Sequence, residues 1–509
     1  MASYVLRRLG VSLLILLGAS FLVYQLVAVS GDPLREYRES NRPNKEALMQ
    51  ARIDLLDLDT PAPLRYFSWL SGAVKCVIPG QCDLGKTLQG QEVTDALSAA
   101  IPSTIQLVLT ATILAVVIGI TIGIVVALRQ YSVLDYSVTF MTFLFFSLPV
   151  FWVAVLLKEF GAIGFNDFLR DPSVSVTVAL AVGLVAGVIW TVLIGGSWKR
   201  RGIVFAGSTL LTAGILWYLG WSQWFSYPGL GPGIVAGLGV GIAFALTALL
   251  AGLRNRKALY SALIMVGLAV VAMFALQPLL EDPSVWLVIL LGIAAVGGGL
   301  LVGRLMGGYD RGQSMKVAAL TSFLVAGLVL LDGFMQAWPE YFKLTRGRPI
   351  ATIGSETPNL NGDFWITGVD KYTHLVLPTI SLILISLASY TRYSRASMLE
   401  VMGQDYVRTG RAKGLPERTV VVRHAFRNAL IPLATIVAFD IGGLLGGAVI
   451  TENVFSFKGM GQLFIQGLDH QDPNPVMGVF LVVGVTAVTF NLVADLLYSA
   501  LDPRVRVKA

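Results

Sequence analysis

The sequence predicts an all-α polytopic membrane protein with about twelve spans, and three observations carry that reading. Of 509 residues, 55 % are hydrophobic and 14 % charged, where a soluble chain carries about a quarter charged. Mean hydropathy is +0.71. The apolar residues also fall into continuous runs of about 20, the length at which a helix crosses the hydrocarbon layer. These runs lack the period-two alternation of barrel strands, so helices are expected.

In chain order the runs lie at 9–29, 103–128, 137–157, 174–195, 203–221, 233–253, 258–277, 284–303, 317–336, 375–394, 429–450 and 476–498. Arg7 and Arg8 precede the first. A signal peptide also opens with charge before an apolar run, but this run exceeds the usual signal core, so an uncleaved anchor is expected. With the N-terminus in the cytoplasm, every second loop is cytoplasmic. Those loops hold Arg129; Lys199, Arg200 and Arg201; Arg254, Arg256 and Lys257; Arg304, Arg311 and Lys316; and the basic segment 395–428. The intervening loops 222–232 and 278–283 contain no Lys or Arg. That asymmetry follows the positive-inside rule and places both termini in the cytoplasm. The 30–100 segment is then extracytoplasmic, with a surface helix expected over Asn44 to Leu58. Its only cysteines, Cys76 and Cys82, face an oxidising compartment, where a disulfide forms readily; two free thiols are the alternative.

Several function classes drop out. The net charge is +7, yet the basic residues form short clusters between apolar runs, with no basic stripe for nucleic acid. His374, His424 and His470 are far apart, and no Cys/His cluster has metal-ligand spacing, so no metal site is expected. Gly80 to Thr87 reads G-x-x-x-x-G-K-T, the phosphate-loop pattern. That chemistry needs a strand before the loop and a helix after it, and Val77-Ile78-Pro79 supplies neither. Gly229 to Gly233 is read as a turn into a span.

The informative stretch is the loop between the tenth and eleventh runs. Asp405-Tyr406-Val407-Arg408-Thr409-Gly410-Arg411-Ala412 suits a short helix, and Leu415-Pro416-Glu417 can end it and start another. The small residues Gly410, Ala412 and Gly414 would let that helix seat closely against another surface. A merely solvated basic loop would need neither them nor the apolar Val420 to Val422.

Here the sequence resembles the inner-membrane permeases of the oligopeptide, dipeptide and nickel class of binding-protein-dependent ABC importers. Asp405 to Thr409, Ala412-Lys413-Gly414 and Arg427 to Pro432 are similar to that class's version of the "EAA" segment, without its glutamate. Tyr4 to Leu9 with Ser30 to Pro33, Asp83 to Thr87, Ser147 to Trp152, Leu445 to Val449 with Glu452 to Phe455 and Gly459 to Gly461, and Asp495 to Arg506 resemble further family segments. Lys458 stands where the family usually has proline.

The resemblance implies a six-helix type I permease core, with 1–160 its first half and 371–509 its second, the latter holding the loop 395–428. Residues 161–370 would be an inserted region of about six helices in contact with lipid or a partner. It implies a non-enzymatic transport subunit that binds no cofactor itself, with ATP and magnesium in partner subunits. Expected partners are a homologous second permease, two ATPase subunits or domains, an extracytoplasmic binding protein and a peptide. Asp405, Thr409, Gly410, Ala412, Lys413, Gly414, Leu415 and Pro416 would couple to the ATPase. Asp440, Val449, Glu452, Phe455 and Met460 would line the path or gate, supported by Gly459 and Gly461. Asp440, inside a run, would meet cargo or pair at the permease interface. Asp495 and Asp502 are expected to pair with local arginines such as Arg504. A twelve-helix secondary transporter of the major facilitator type is the alternative; it would show two similar six-helix halves. Peptides are the expected cargo, although relatives handle nickel chelates, sugars and glutathione-like molecules.

Overall fold

A computed structural model describes residues 2–39 and 43–501. Among the described residues, eleven helices are long and apolar enough to cross a membrane, and a bent pair brings the number to twelve. They are α1 (Ala2–Val29), α4 (Val93–Leu128), the bent pair α5 (Val133–Ser147) and α6 (Val150–Arg170), α7 (Val176–Ile194), α8 (Trp198–Trp221), α9 (Gly231–Ala251), α10 (Arg256–Ala275), α11 (Val285–Met306), α12 (Arg311–Gln336), α13 (Phe364–Met402), α15 (Arg427–Gly447) and α18 (Pro473–Leu501). Shorter helices are α2 (Lys45–Leu56), α3 (Ala62–Lys75), α14 (Asp405–Ala412), α16 (Val449–Val454) and α17 (Met460–Asp469).

The third expected span is broken. Pro149 has no N–H to continue the helix and holds Leu148 extended at φ −81°, ψ 129°. The chain therefore bends by 101° between α5 and α6. The motif Ser147-Leu148-Pro149 marks a corner, not the interior of a span. Two other helices outrun the apolar runs that announced them: α4 has 36 residues and α13 has 39.

The segments 93–128 and 364–402 pack along each other although far apart in sequence. Gly119 and Gly123 make this possible. A Cβ on Gly119 would lie 2.8 Å from the Cβ of Tyr390, and one on Gly123 would lie 2.6 Å from the Thr391 carbonyl oxygen. This is the small-xxx-small packing that lets two backbones approach in lipid. Ser394 Oγ donates to the Ile120 carbonyl across the same seam at 3.1 Å. The same spacing recurs at Gly183/Gly187 between α7 and α8 and at Gly299/Gly303 between α11 and α12. Helices α9, α10 and α12 share a core of Val235, Ala243, Ala258, Ala262, Val266, Val317 and Val325, while the α7–α8 hairpin lies beside α5.

Polar groups fasten the remaining joints. Arg395 on α13 holds Asp135 on α5 through Nε–Oδ1 at 2.8 Å and Nη2–Oδ2 at 2.9 Å. Arg392, one turn earlier, lies over the Phe146 ring at 4.2 Å. Buried Asp332 accepts from the N–H groups of Leu230 (2.7 Å) and Gly231 (3.0 Å) and so caps α9; this is the expected Gly229–Gly233 turn. Asp495 pairs with Arg8 of α1 at 3.0 Å. The expected local partner Arg504 lies, with Asp502, outside the described residues.

Between α1 and α4, α2 occupies the expected surface-helix position, and α3 lies back against α1. Tyr66 is 2 % exposed and its hydroxyl shares a hydrogen bond with Ser20 at 2.7 Å. Cys76 and Cys82 form a disulfide, S–S 2.03 Å. The phosphate-loop look-alike is a turn: Thr87 N–H donates to Gln91 at 2.8 Å and Lys86 pairs with Glu92 at 3.4 Å.

The Asp135–Arg395 pair gives a direct test. Asp135→Ala strands a partly buried guanidinium and is expected to cost about 3–5 kcal/mol. Replacing both residues with apolar ones should cost less than the two single changes together. Thermal unfolding in detergent measures both, and additive single effects would show that the two residues do not interact.

Candidate functional site

The expected coupling segment folds as a helix and a sharp turn. In α14, Val407 is fully buried and Gly410 is buried, packed toward Val420. Val407, Val420, Val421, Ala425, Met398, Ala127 and Ala429 form one apolar cluster, which seats α14 on the ends of α4, α13 and α15. The opposite face is exposed and carries Asp405, Arg408, Thr409, Arg411, Ala412, Lys413, Gly414, Leu415 and Pro416. Thr409 Oγ1 donates to the Asp405 carbonyl at 2.8 Å.

A Schellman motif closes the helix. Gly414 N–H donates to Arg411 at 2.9 Å and Leu415 N–H to Gly410 at 3.3 Å. Gly414 has φ +72° with open space around its Cα. The segment then restarts at Pro416-Glu417, as expected. Arg411 grips Glu417 through both oxygens, at 2.7 and 3.2 Å, and this hydrogen-bonded guanidinium holds the Glu417 carboxyl below the usual range.

Two roles differ from expectation. Gly410 turns inward, so it supports the chain's own turn rather than a close approach to another surface. Gly414 is needed for its left-handed backbone, since no neighbour crowds it. Of the small residues only Ala412 and Gly414 lie on the free face.

At the other end of the long helices, the expected path residues gather around one carboxylate. Glu452 on α16 is fully buried. It accepts from Thr104 Oγ1 of α4 at 2.7 Å and from Gly461 N–H at 2.6 Å. Thr104 in turn accepts from Met460 N–H at 2.8 Å. The first N–H groups of α17 are thus capped by α16 and α4 together. A Cβ at Gly459 would overlap the Glu452 carboxylate, and one at Gly461 would come within 2.5 Å of the Val449 Cα. Phe455 and Met460 are 2 % and 1 % exposed, and the Phe455 carbonyl accepts from Gly354 N–H at 2.9 Å. Glu452, Phe455 and Met460 therefore form a closed latch, with Val449 half-buried beside it. Lys458 is exposed.

Asp440 stands apart from the latch, half-buried on α15 beside the Tyr390 hydroxyl of α13. Asp472, which sequence reasoning passed over, joins the loop before α18 to the turn before α4: it accepts from Leu88 N–H at 2.8 Å. Burial is the largest influence on it and pushes its pKa from 3.8 up to about 6. Thr104 and Tyr390 were also missed. Each is an ordinary residue within a long apolar helix, and only the fold brings it to its carboxylate.

Both carboxylates yield tests. Glu452→Ala leaves the Gly461 amide and the Thr104 hydroxyl without their acceptor, at about 1–3 kcal/mol for each stranded group, while Glu452→Gln keeps an acceptor and should retain most of the stability. Equal melting temperatures for the Ala variant and the native chain would remove the latch. For Asp472 the folded-state pKa is raised, so the native state binds the extra proton. Its contribution is full below pH 3.8 and is lost as pH rises through about 6. Amide exchange protection at Leu88 should fall between pH 4 and 7 in the native chain and stay flat in Asp472→Asn.

Known proteins share parts of this chain. Residues 283–507 match the family described as binding-protein-dependent transport system inner membrane component. The match opens at 283 and so includes α11 and α12, within the region read as inserted. The oligopeptide transport system permease protein of Mycobacterium tuberculosis is 38 % identical over 194 residues, 38 % of this chain and 58 % of the relative. The dipeptide transport system permease protein of Escherichia coli is 44 % identical over 140 residues, 28 % and 41 % respectively. An oligopeptide transport system permease protein of Bacillus subtilis is 42 % identical over 154 residues, 30 % and 48 %. The chain thus spans about half the length of the curated relatives it matches. With its all-helical architecture and its loop between α13 and α15, the chain is similar over residues 283–507 to the inner membrane components of binding-protein-dependent transport systems.

Proposed function

We propose that this chain is the permease subunit of an ATP-driven importer that carries peptides across the bacterial cytoplasmic membrane. The observation that carries the reading is the α14 turn. It presents an exposed charged face, fixed by a buried apolar face to the ends of α4, α13 and α15. A motor docked on that face would push on three membrane helices at once. The transport-family domain supports the same reading, and the peptide permeases it resembles support the cargo. A major facilitator transporter would have no use for such a surface, and the family match argues against it.

In this reading α14 lies in the cytoplasm with both termini, consistent with the Lys and Arg distribution between spans. The α2–α3 region, the disulfide and the Glu452 latch lie outside. ATP and magnesium belong to two ATPase subunits or domains that contact Asp405, Thr409, Ala412, Lys413, Gly414, Leu415 and Pro416. A second homologous permease completes the pathway, and an extracytoplasmic binding protein delivers cargo. Residues 161–370 form a peripheral helical region between the two halves of the core. Asp440 and Tyr390 form a contact between α15 and α13 that changes as the pathway opens.

The test uses the reconstituted complex with its binding protein. Gly414→Asn, which tolerates a left-handed backbone, should preserve uptake. Gly414→Val cannot hold that turn and should lower peptide uptake per ATP hydrolysed by roughly 5- to 150-fold, the span of ordinary coupling energies, while the subunits still co-purify. An unchanged ratio in Gly414→Val would remove the coupling assignment. Purification of the chain without any ATPase from a transport-active membrane would remove the importer reading.

A further inference from the structure

Away from the coupling turn, a cavity of about 500 Å³ opens between α6, the 345–358 segment and the first turns of α13. That size falls within the range of small-molecule sites. Its walls are fixed by reciprocal polar contacts. Asn166 on α6 donates to the Ile350 carbonyl at 2.8 Å and accepts from the Ile350 N–H at 2.9 Å. Asp370 on α13 accepts from Tyr341 Oη at 3.0 Å and from Thr357 N–H at 2.9 Å. Such bracing holds the lining side chains on a frame ordered before any ligand arrives.

The charges on that frame are unusual. Lys158, Arg348 and Glu356 all line the cavity, and among the described residues none has an ion-pair partner within 4.0 Å. Asp167, also in the lining, is paired with Arg170 at 3.5 Å. Among the described residues, Lys158 Nζ donates only to the Val454 carbonyl, at 3.3 Å. His374 is 5 % exposed and its Nδ1 lies 2.8 Å from the Asp370 carbonyl. A carbonyl only accepts, so Nδ1 carries a proton, and the Asp370 carboxylate lies 3.5 Å from the same nitrogen. Two cations therefore stand without an ion-pair partner among the described residues, beside one carboxylate in the same state.

We infer that this cavity binds a small zwitterion, its carboxylate between Lys158 and Arg348 and its ammonium group at Glu356. The choice of a short peptide as that zwitterion rests on the peptide-permease reading; the charge arrangement does not. Two contacts tie the site to the latch. Lys158 holds the Val454 carbonyl, and Gly354, beside the lining residue Ile353, donates to the Phe455 carbonyl. Occupancy thus bears on α16, the helix that carries Glu452.

The experiment measures equilibrium binding of radiolabelled dialanine to the purified complex in nanodiscs, without binding protein or ATP, next to uptake in proteoliposomes. Arg348 and Glu356 are exposed, so Arg348→Gln and Glu356→Gln disturb no packing, and Lys158→Gln can still donate to Val454. Each change is expected to weaken dialanine binding at least tenfold. Dialanine amide, lacking the carboxylate, should compete at least tenfold less well than dialanine against the native complex. Unchanged binding in all three variants overturns the site, as does absence of saturable binding in a preparation that imports dialanine. A complex that binds dialanine in this charge-dependent way but imports no peptide leaves the site standing and overturns the importer reading instead.

Discussion

Everything in this architecture hangs on how closely the helix 93–128 can lie against the helix 364–402. In lipid, apolar side chains gain little by leaving one apolar surface for another, so association depends on close packing and on polar contacts across the seam. Gly119 and Gly123 remove the side chains that would hold the two backbones apart. Tyr390, Thr391 and Ser394 fill the space. Because this seam joins segments hundreds of residues apart, it draws the two ends of the chain into one body. The middle helices repeat the device at Gly183/Gly187 and Gly299/Gly303 with their own neighbours.

A second rule governs the breaks. Each interrupted helix exposes N–H groups that water cannot reach, and buried donors must be met within the protein. The structure answers with carboxylates borrowed from elsewhere: Asp332 for α9, Glu452 for α17, and Asp472 for the turn before α4. These three carboxylates are thus committed to backbone, which explains why the expected path residue Glu452 is sealed. Asp440, half-buried near the Tyr390 hydroxyl, caps no backbone N–H among the described residues.

Much of this was legible in the sequence because it depends on local pattern. Apolar runs located the helices, and Leu415-Pro416-Glu417 located the end of the coupling helix. The Gly229–Gly233 turn was read correctly without its partner Asp332. What escaped reading depends on distance along the chain. Thr104 meets Glu452 across 348 residues, and Asp495 reaches back to Arg8 instead of to a neighbour. The corner at Leu148-Pro149 was a different failure: the proline was visible, but an apolar run on both sides suggested a single span. The spacing of Gly119 and Gly123 was also present and was passed over, because glycine is common in membrane helices and only a facing helix gives the spacing meaning.

The length of α13 has a mechanical consequence. Its 39 residues make a rigid element of about 58 Å, nearly twice the hydrocarbon thickness of about 30 Å. One end contributes Asp370 and His374 to the braced cavity wall; the other carries Met398 into the cluster beneath α14. Its one internal proline, Pro378, lies toward the cavity end, leaving about 36 Å of uninterrupted helix beyond it. A lever with its fulcrum so placed is strongly asymmetric. A tilt of about 10° at Pro378 swings the Met402 end by roughly 6 Å, about one helical turn, while the residues beside the cavity barely move.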